Sequence, residues 1–99
     1  MKVYIDKYRA HICKGRYFDA HEALEEYWFP RRKEKNEFVL IVKGFINAAV
    51  SLELKKRGRL EASKRTWKTY EKLTKYLEVY PNDELEELKI FINRHKIDN

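Results

Sequence analysis

Apolar residues recur along this chain at helical spacing, and breakers cut the pattern into five segments. Tyr4, Tyr8, His11 and Ile12 fall three or four residues apart before Gly15, which is placed to end a first helix. A second segment runs from about Tyr17 to Phe29, where Pro30 stops it because proline lacks the N–H that a helix needs. The charged link RRKEKN leads to a third, from about Glu37 to Arg57, closed by Gly58. Its stretch FVLIVKGFINAAVSL is apolar almost all round, the pattern of a helix surrounded by other helices, with Lys43, Asn47 and Ser51 as its one polar strip. A fourth helix, from about Leu60 to Tyr80, turns Trp67, Tyr70 and Leu77 inward and ends at Pro81. PNDELEEL then offers an Asn or Asp N-cap with acids in the first turn, so a fifth helix is expected to about His95. No strand-type alternation appears. The pattern predicts an all-α fold, a compact bundle of about five helices with a central buried helix.

Composition narrows the class. A chain of 99 residues supports one core, so residues 1–99 are read as a single helical domain. With 43% hydrophobic and 38% charged residues it belongs among folded proteins. The longest apolar run, Phe38 to Val42, is much too short to span a bilayer, and MKVYIDKYRA holds no uninterrupted apolar region. No membrane association and a cytoplasmic location are therefore expected. Cys13, the one cysteine, has no partner for an internal disulfide or a cysteine-based metal site, and is expected to be a small buried hydrophobe near a helix end. Glutamine is absent while Lys and Glu abound, a bias associated with proteins of hot-living organisms. The aromatics exceed what a small core covers, which points to self-association as a homo-oligomer.

The chemistry concentrates in FDAHEALEEYW, residues 18–28. On a helix starting at Tyr17, Tyr17, His21, Leu24 and Trp28 share one face, with Glu25 at its border and Glu22 about 100° away. His21 and Glu25, four apart, project over one surface patch and can share a metal ion or hold a proton between them. HEALE differs from the zinc-protease pattern H-E-x-x-H, because Glu25 replaces the second histidine and no third ligand is apparent. On the central helix Glu53 falls on the side of Val42, Phe45, Ile46 and Ala49, so it can join His21 and Glu25 in a cleft-lining polar cluster, with Asn47 a more distant member. In that reading His21 is ligand or proton acceptor, Glu25 its partner, Glu22 an acid at the rim, and Trp28, Asn47 and Glu53 line the site. The alternative is structural: Glu25 fixes the tautomer of a packed histidine, while Tyr17, Tyr27 and Trp28 serve as core and rim aromatics. His11 and His95, near helix ends, read as cap or packing residues. No cofactor is required by these residues.

The series Gly15, Tyr17, Phe18, Ala20, His21, Glu22, Leu24, Glu25 and Trp28 at its spacing, followed by KGFINAAVSLELKKRG and Ala62, resembles the prokaryotic family called domain of unknown function 309, over roughly residues 11 to 80. The resemblance implies a small all-helical domain with His21, Glu22, Glu25 and Trp28 at signature positions, and it brings no established activity. The family pattern usually carries a glutamine where this chain has Asn47, and often a histidine where it has Leu54. The second departure weakens any metal site built on two histidines.

Charge supplies a rival reading. Lys55 to Lys75 holds nine Lys or Arg against Glu61 and Glu71, and Lys64, Lys68, Lys72 and Lys75 line one face of the fourth helix. Such a stripe can follow a phosphate backbone, and RRKEK at 31–35 can extend it, although a net charge of +6 equally suits a solvated helix face. No sequence-reading nucleic-acid motif is present, and the face beside the lysines is too polar to insert into a membrane. Three classes of function follow: a helix-borne polar site, a nucleic-acid-binding or accessory module, and a scaffold or interaction domain.

Overall fold

Two glycines make the corners on which the bundle turns. In the computed structural model, which describes all 99 residues, Gly15 and Gly58 have φ of +71° and +80°, a left-handed conformation that only glycine adopts without strain. At each corner the N–H groups of the glycine and of the following arginine reach back to close the preceding helix. Gly15 and Arg16 bond to the carbonyls of Ile12 and His11, and Gly58 and Arg59 to those of Lys55 and Leu54. These are two Schellman closures, and in both the arginine carbonyl at once accepts the first bond of the next helix. The result is two helical hairpins, α1 (Lys2–Cys13) with α2 (Tyr17–Trp28), and α3 (Glu37–Lys56) with α4 (Leu60–Thr74). A last helix, α5 (Asp83–Asp98), completes an all-α globule with a Cα radius of gyration of 12.4 Å. No helix is long and apolar enough to cross a membrane.

The third helix is central, as its pattern demands. It packs most extensively on α4 and next on α2, and it buries Ile41, Val42, Phe45, Ala48, Ala49 and Leu52. Asn36 caps its start by accepting the N–H of Val39 at 3.0 Å, and Asn82 does the same for α5 through Leu85. Gly44 lets α4 approach so closely that a Cβ there would lie 3.1 Å from Cβ of Leu73. On the opposite side Tyr8, fully buried on α1, donates its hydroxyl to the Phe45 carbonyl at 2.8 Å. Burial raises the Tyr8 and Tyr70 hydroxyl pKa values, so both stay protonated donors, Tyr70 to Asn93 on α5 at 2.8 Å.

Four expectations change. Ser51 is no part of an exposed polar strip: it is buried, donating to the Ser63 carbonyl at 2.7 Å while Ser63 donates to the Ser51 carbonyl at 2.8 Å. The strip fails because Ser51 lies about 80° round the helix from Lys43, enough to face α4. Cys13 is exposed, since the chain leaves the core one residue after Ile12. Helix α4 ends at Thr74, not Tyr80. The Thr74 hydroxyl bonds back to the Tyr70 carbonyl at 2.9 Å, and the chain tightens into a 3₁₀ turn at Lys75–Glu78. Helix α5 continues to Asp98, because no breaker follows His95 and Asn99 caps the His95 carbonyl.

Pro30 does not end the chain's curl but sits inside a second 3₁₀ turn, Phe29–Arg31, where its missing N–H costs nothing. Arg31 and Arg32 fold back onto that end of α2. They donate to the carbonyls of Tyr27 and Phe29 and stack over the same two rings. Both guanidinium groups are thereby occupied at a helix C-terminus, where positive charge is favoured.

Candidate functional site

Helices α2 and α3 run antiparallel, and along their shared edge two acid-containing pairs face one apolar slot. On α2 His21 Nε2 meets Glu25 Oε2 at 2.8 Å, the four-residue pairing that the helical repeat dictates. On α3 Arg57 Nε donates to Glu53 Oε2 at 2.6 Å, again four residues apart. Between them lies a cavity of about 280 Å³, lined by Phe18 and His21 from α2 and by Val50, Glu53, Leu54 and Arg57 from α3 and its end. Its walls are mainly hydrocarbon. The Glu53 side chain is 18% exposed and that of His21 19%, so both sit in partly desolvated surroundings, whereas Arg57 is 62% exposed.

Neither ring nitrogen of His21 is open to the slot. Nε2 is held by Glu25, and Nδ1 is buried without a partner. Phe18, half exposed, lies with its ring centroid 5.6 Å from the imidazole and forms the outer lip of the slot.

The sequence-predicted residues divide between two places. His21 and Glu53 meet at the slot. Glu25 is bonded to His21 but also lines a second, wider groove between α1 and α2 with Glu22, Asp19, Glu26, Lys7 and His11. Glu22 therefore stands in that groove and not at the slot. Trp28 lies two turns further along the α2–α3 edge, its ring 5.8 Å from Lys43 Nζ and its Nε1 buried without a partner. Asn47, between Lys43 and Val50 on the same edge by spacing, donates its amide to the Lys43 carbonyl at 2.9 Å and does not line the slot. No three His, Cys, Asp or Glu side chains converge as a metal-holding set. Nothing in the sequence marks Val50 and Arg57 as site residues, and Phe18 and Leu54 stand out only as positions of the family pattern. The Glu53–Arg57 spacing was the available signal for Arg57, an acid four residues before a base near a helix end.

Beside the slot, Tyr17 ties α2 to the C-terminal helix. The Tyr17 hydroxyl bonds to His95 Nε2 at 2.8 Å, and its pKa is raised by burial and by the charge of Glu53. Burial lowers the pKa of His95, partly opposed by Asp98. With the hydroxyl donating, a neutral His95 accepts. The folded state resists protonating His95 while the unfolded chain takes up the proton below about pH 6.5, so this tie is fully present above that pH and is lost as pH falls through the lower folded value. Thermal unfolding followed from pH 7.5 down to about 5 is expected to show stability declining over that window. His95→Gln, which can still accept from Tyr17, is expected to flatten that decline. An equally steep decline in the variant would assign it to other groups.

Fold and site together define a small all-helical domain with a histidine–glutamate pair and a glutamate–arginine pair on opposite walls of one slot. Comparison with family models identifies it further. Residues 5–66 match the model described as a domain of unknown function (DUF309), and the chain belongs to that family. No curated protein and no solved structure matches the chain.

Proposed function

We propose that this protein is a ligand-binding domain, one domain over residues 1–99, and that the α2–α3 slot takes a small organic cation, an amine with an apolar body. The single observation that carries this reading is the meeting of the His21–Glu25 and Glu53–Arg57 pairs across hydrocarbon walls. A mostly apolar pocket with a few convergent polar groups is the usual form of a small-molecule site, and about 280 Å³ suits a fragment-sized occupant. The sign of the ligand follows from local charge. Glu53 and Arg57 offset each other at the slot, Glu25, bonded to His21 behind it, adds a further acid, and Phe18 offers an aromatic face to a cation. Helix α2 as a whole carries Asp19, Glu22, Glu25 and Glu26 with no Lys or Arg, in a chain of net charge +6.

Binding is favoured over catalysis by the state of His21. A general base needs a ring nitrogen within hydrogen-bond reach of the substrate proton, and here one nitrogen is taken by Glu25 and the other is buried. His21 acts as a positioning residue, its ring forming part of the slot wall and fixed there by Glu25.

Titration of hexylamine, followed by calorimetry and amide chemical shifts, is expected to give a dissociation constant of ~0.1–1 mM with shifts at Phe18, Val50 and Leu54. Hexanoate, with the head charge reversed, is expected not to bind. Glu53→Gln and Phe18→Ala are each expected to weaken the amine by about fivefold or more. Equal binding of hexanoate, or none of either, would overturn the reading.

A second reading, nucleic-acid binding, is supported by the exposure of Lys64, Lys68, Lys72 and Lys75 on the side of α4 and its 3₁₀ turn away from buried Ser63, Trp67, Tyr70 and Thr74. These lysines span about 16 Å, and Lys64 has only a loose partner in Glu61 at 3.7 Å. Trp67 is covered by Lys96, 4.2 Å above its ring, so contact would be to phosphate and not to bases. Binding of a fluorescent duplex at low salt is expected to disappear when Lys64, Lys68 and Lys72 are replaced by Glu. Binding that survives the replacement, or that ignores salt, would remove this face from consideration.

A further inference from the structure

A different element carries a further inference. Along the outer side of α5 Glu87, Ile90, Arg94 and Ile97 follow one another at intervals of three, four and three residues and form a single exposed stripe. Ile90 is 59% exposed and Ile97 84%, while Phe91 beside them packs against the core with the Arg9 guanidinium 5.0 Å from its ring. A groove of about 420 Å³ runs next to the stripe. Isolated exposed isoleucines are ordinary on a protein surface. What singles these out is the order of charge around them. Asp83, Glu84, Glu86 and Glu87 come first along the helix, and Lys89, Arg94 and Lys96 follow, with Asp98 the one acid after them. The helix dipole favours that order in any helix, but Glu87 and Arg94 flank an exposed apolar residue, and neither forms an ion pair within the chain.

We infer that this stripe is the contact surface for a second copy of the chain, with the two α5 helices antiparallel about a two-fold axis at Ile90–Phe91. The geometry follows from helical spacing. Glu87 and Arg94 are seven residues, or about 10.5 Å, apart and lie on either side of Ile90. A two-fold axis midway between them sets each Glu87 against Arg94 of the partner subunit and brings the two Ile90 side chains together. One self-complementary patch thus supplies both sides of the interface, as a closed dimer requires. A parallel arrangement would instead oppose like charges. A single pair of crossing helices buries less than a standard interface, so the dimer is a weak one, with a dissociation constant in the ~10–100 µM range.

Sedimentation equilibrium at about 10–300 µM tests it. Wild type is expected to pass from monomer to dimer over that range. Glu87→Arg and Arg94→Glu are each expected to raise the dissociation constant roughly tenfold or more by opposing like charges, with helical circular dichroism unchanged. The double variant Glu87→Arg/Arg94→Glu restores every pair and is expected to dimerise as wild type does. As an independent reading, Ile90→Cys in a Cys13→Ser background is expected to form an inter-chain disulfide under mild oxidation, and Leu60→Cys, exposed at the start of α4, is not. A wild type monomeric throughout, or a double variant no better than the single ones, would overturn the inference.

Discussion

Gly44→Val is expected to lower the unfolding free energy by about 3 kcal/mol, which for a domain of this size moves the thermal midpoint down by ~12–24 °C. The reason lies in the approach of α4 to α3. A Cβ at position 44 would stand 3.1 Å from Cβ of Leu73, 3.3 Å from a methyl of Thr74 and 3.5 Å from the Tyr70 carbonyl. The first and third of these neighbours are fixed to the α4 backbone and cannot rotate away. A single methyl asks α4 to yield a few tenths of an ångström, and alanine's better helix propensity, about 1 kcal/mol over glycine, offsets that strain. Gly44→Ala is therefore expected to stay within ~1 kcal/mol of wild type. Valine adds two further methyls to a space that takes the first only by a small shift of α4, and the helices must part along the Ser51–Ser63 contact as well. Urea and thermal unfolding of the three proteins decide the matter. A valine variant as stable as wild type would mean that α4 can move away from α3 at little cost.

Phe45→Ala is expected to cost about 3–5 kcal/mol, the usual loss for emptying a fully buried phenylalanine site. Phe45 serves two neighbours at once. Its ring lies 5.6 Å from that of Tyr70 on α4, and its carbonyl accepts the buried Tyr8 hydroxyl of α1. Collapse into the void is opposed on both sides, because Tyr8 and Tyr70 are each held by a hydroxyl bond, Tyr70 to Asn93 of α5. Tyr8→Phe separates the two contributions. It removes only the hydroxyl bond, and the carbonyl it leaves belongs to a helix, so a loss of about 1 kcal/mol is expected. Were Phe45→Ala to cost no more than Tyr8→Phe, the ring would not be the keystone between the two hairpins.

The slot and the α5 stripe differ in how they could be found. His21 and Glu25 are four residues apart on one helix, so their contact is a property of the helical repeat and is visible in FDAHEALEEYW itself. Glu53 could be placed on the inner side of α3 by the same repeat. That it faces His21, while Asn47 turns its amide back to Lys43 and Glu22 stands in another groove, depends on how α2 is rotated and slid against α3. Phe18, Val50 and Leu54 have no chemistry that marks them in a sequence, and they become slot walls only through that packing. The Tyr17–His95 tie, joining residues 78 apart, is of the same kind.

Burial shows the division most plainly. The apolar repeat located nearly every core position of α3, yet residue type misjudged Ser51 there and Cys13 at the end of α1, because polarity states what a residue prefers and not what surrounds it. Ser51 is buried since α4 approaches closely over Gly44 and Ser63 supplies reciprocal hydrogen bonds. Cys13 is exposed since the Gly15 corner turns the chain there.

By itself the amino-acid sequence determined the five helices, the Gly15 and Gly58 corners, the central place of α3, the His21–Glu25 pair and the family. Each rests on interactions within about one helical turn or on hydrophobic periodicity, both of which are local. The tertiary structure alone decided that Glu53 and Arg57 join His21 across an apolar slot, that Glu22 and Asn47 do not, and that Glu87, Ile90 and Arg94 remain free on the outside of α5. Those outcomes depend on the rotation and register of one helix against another, which side-chain packing across the whole core sets and no local segment encodes.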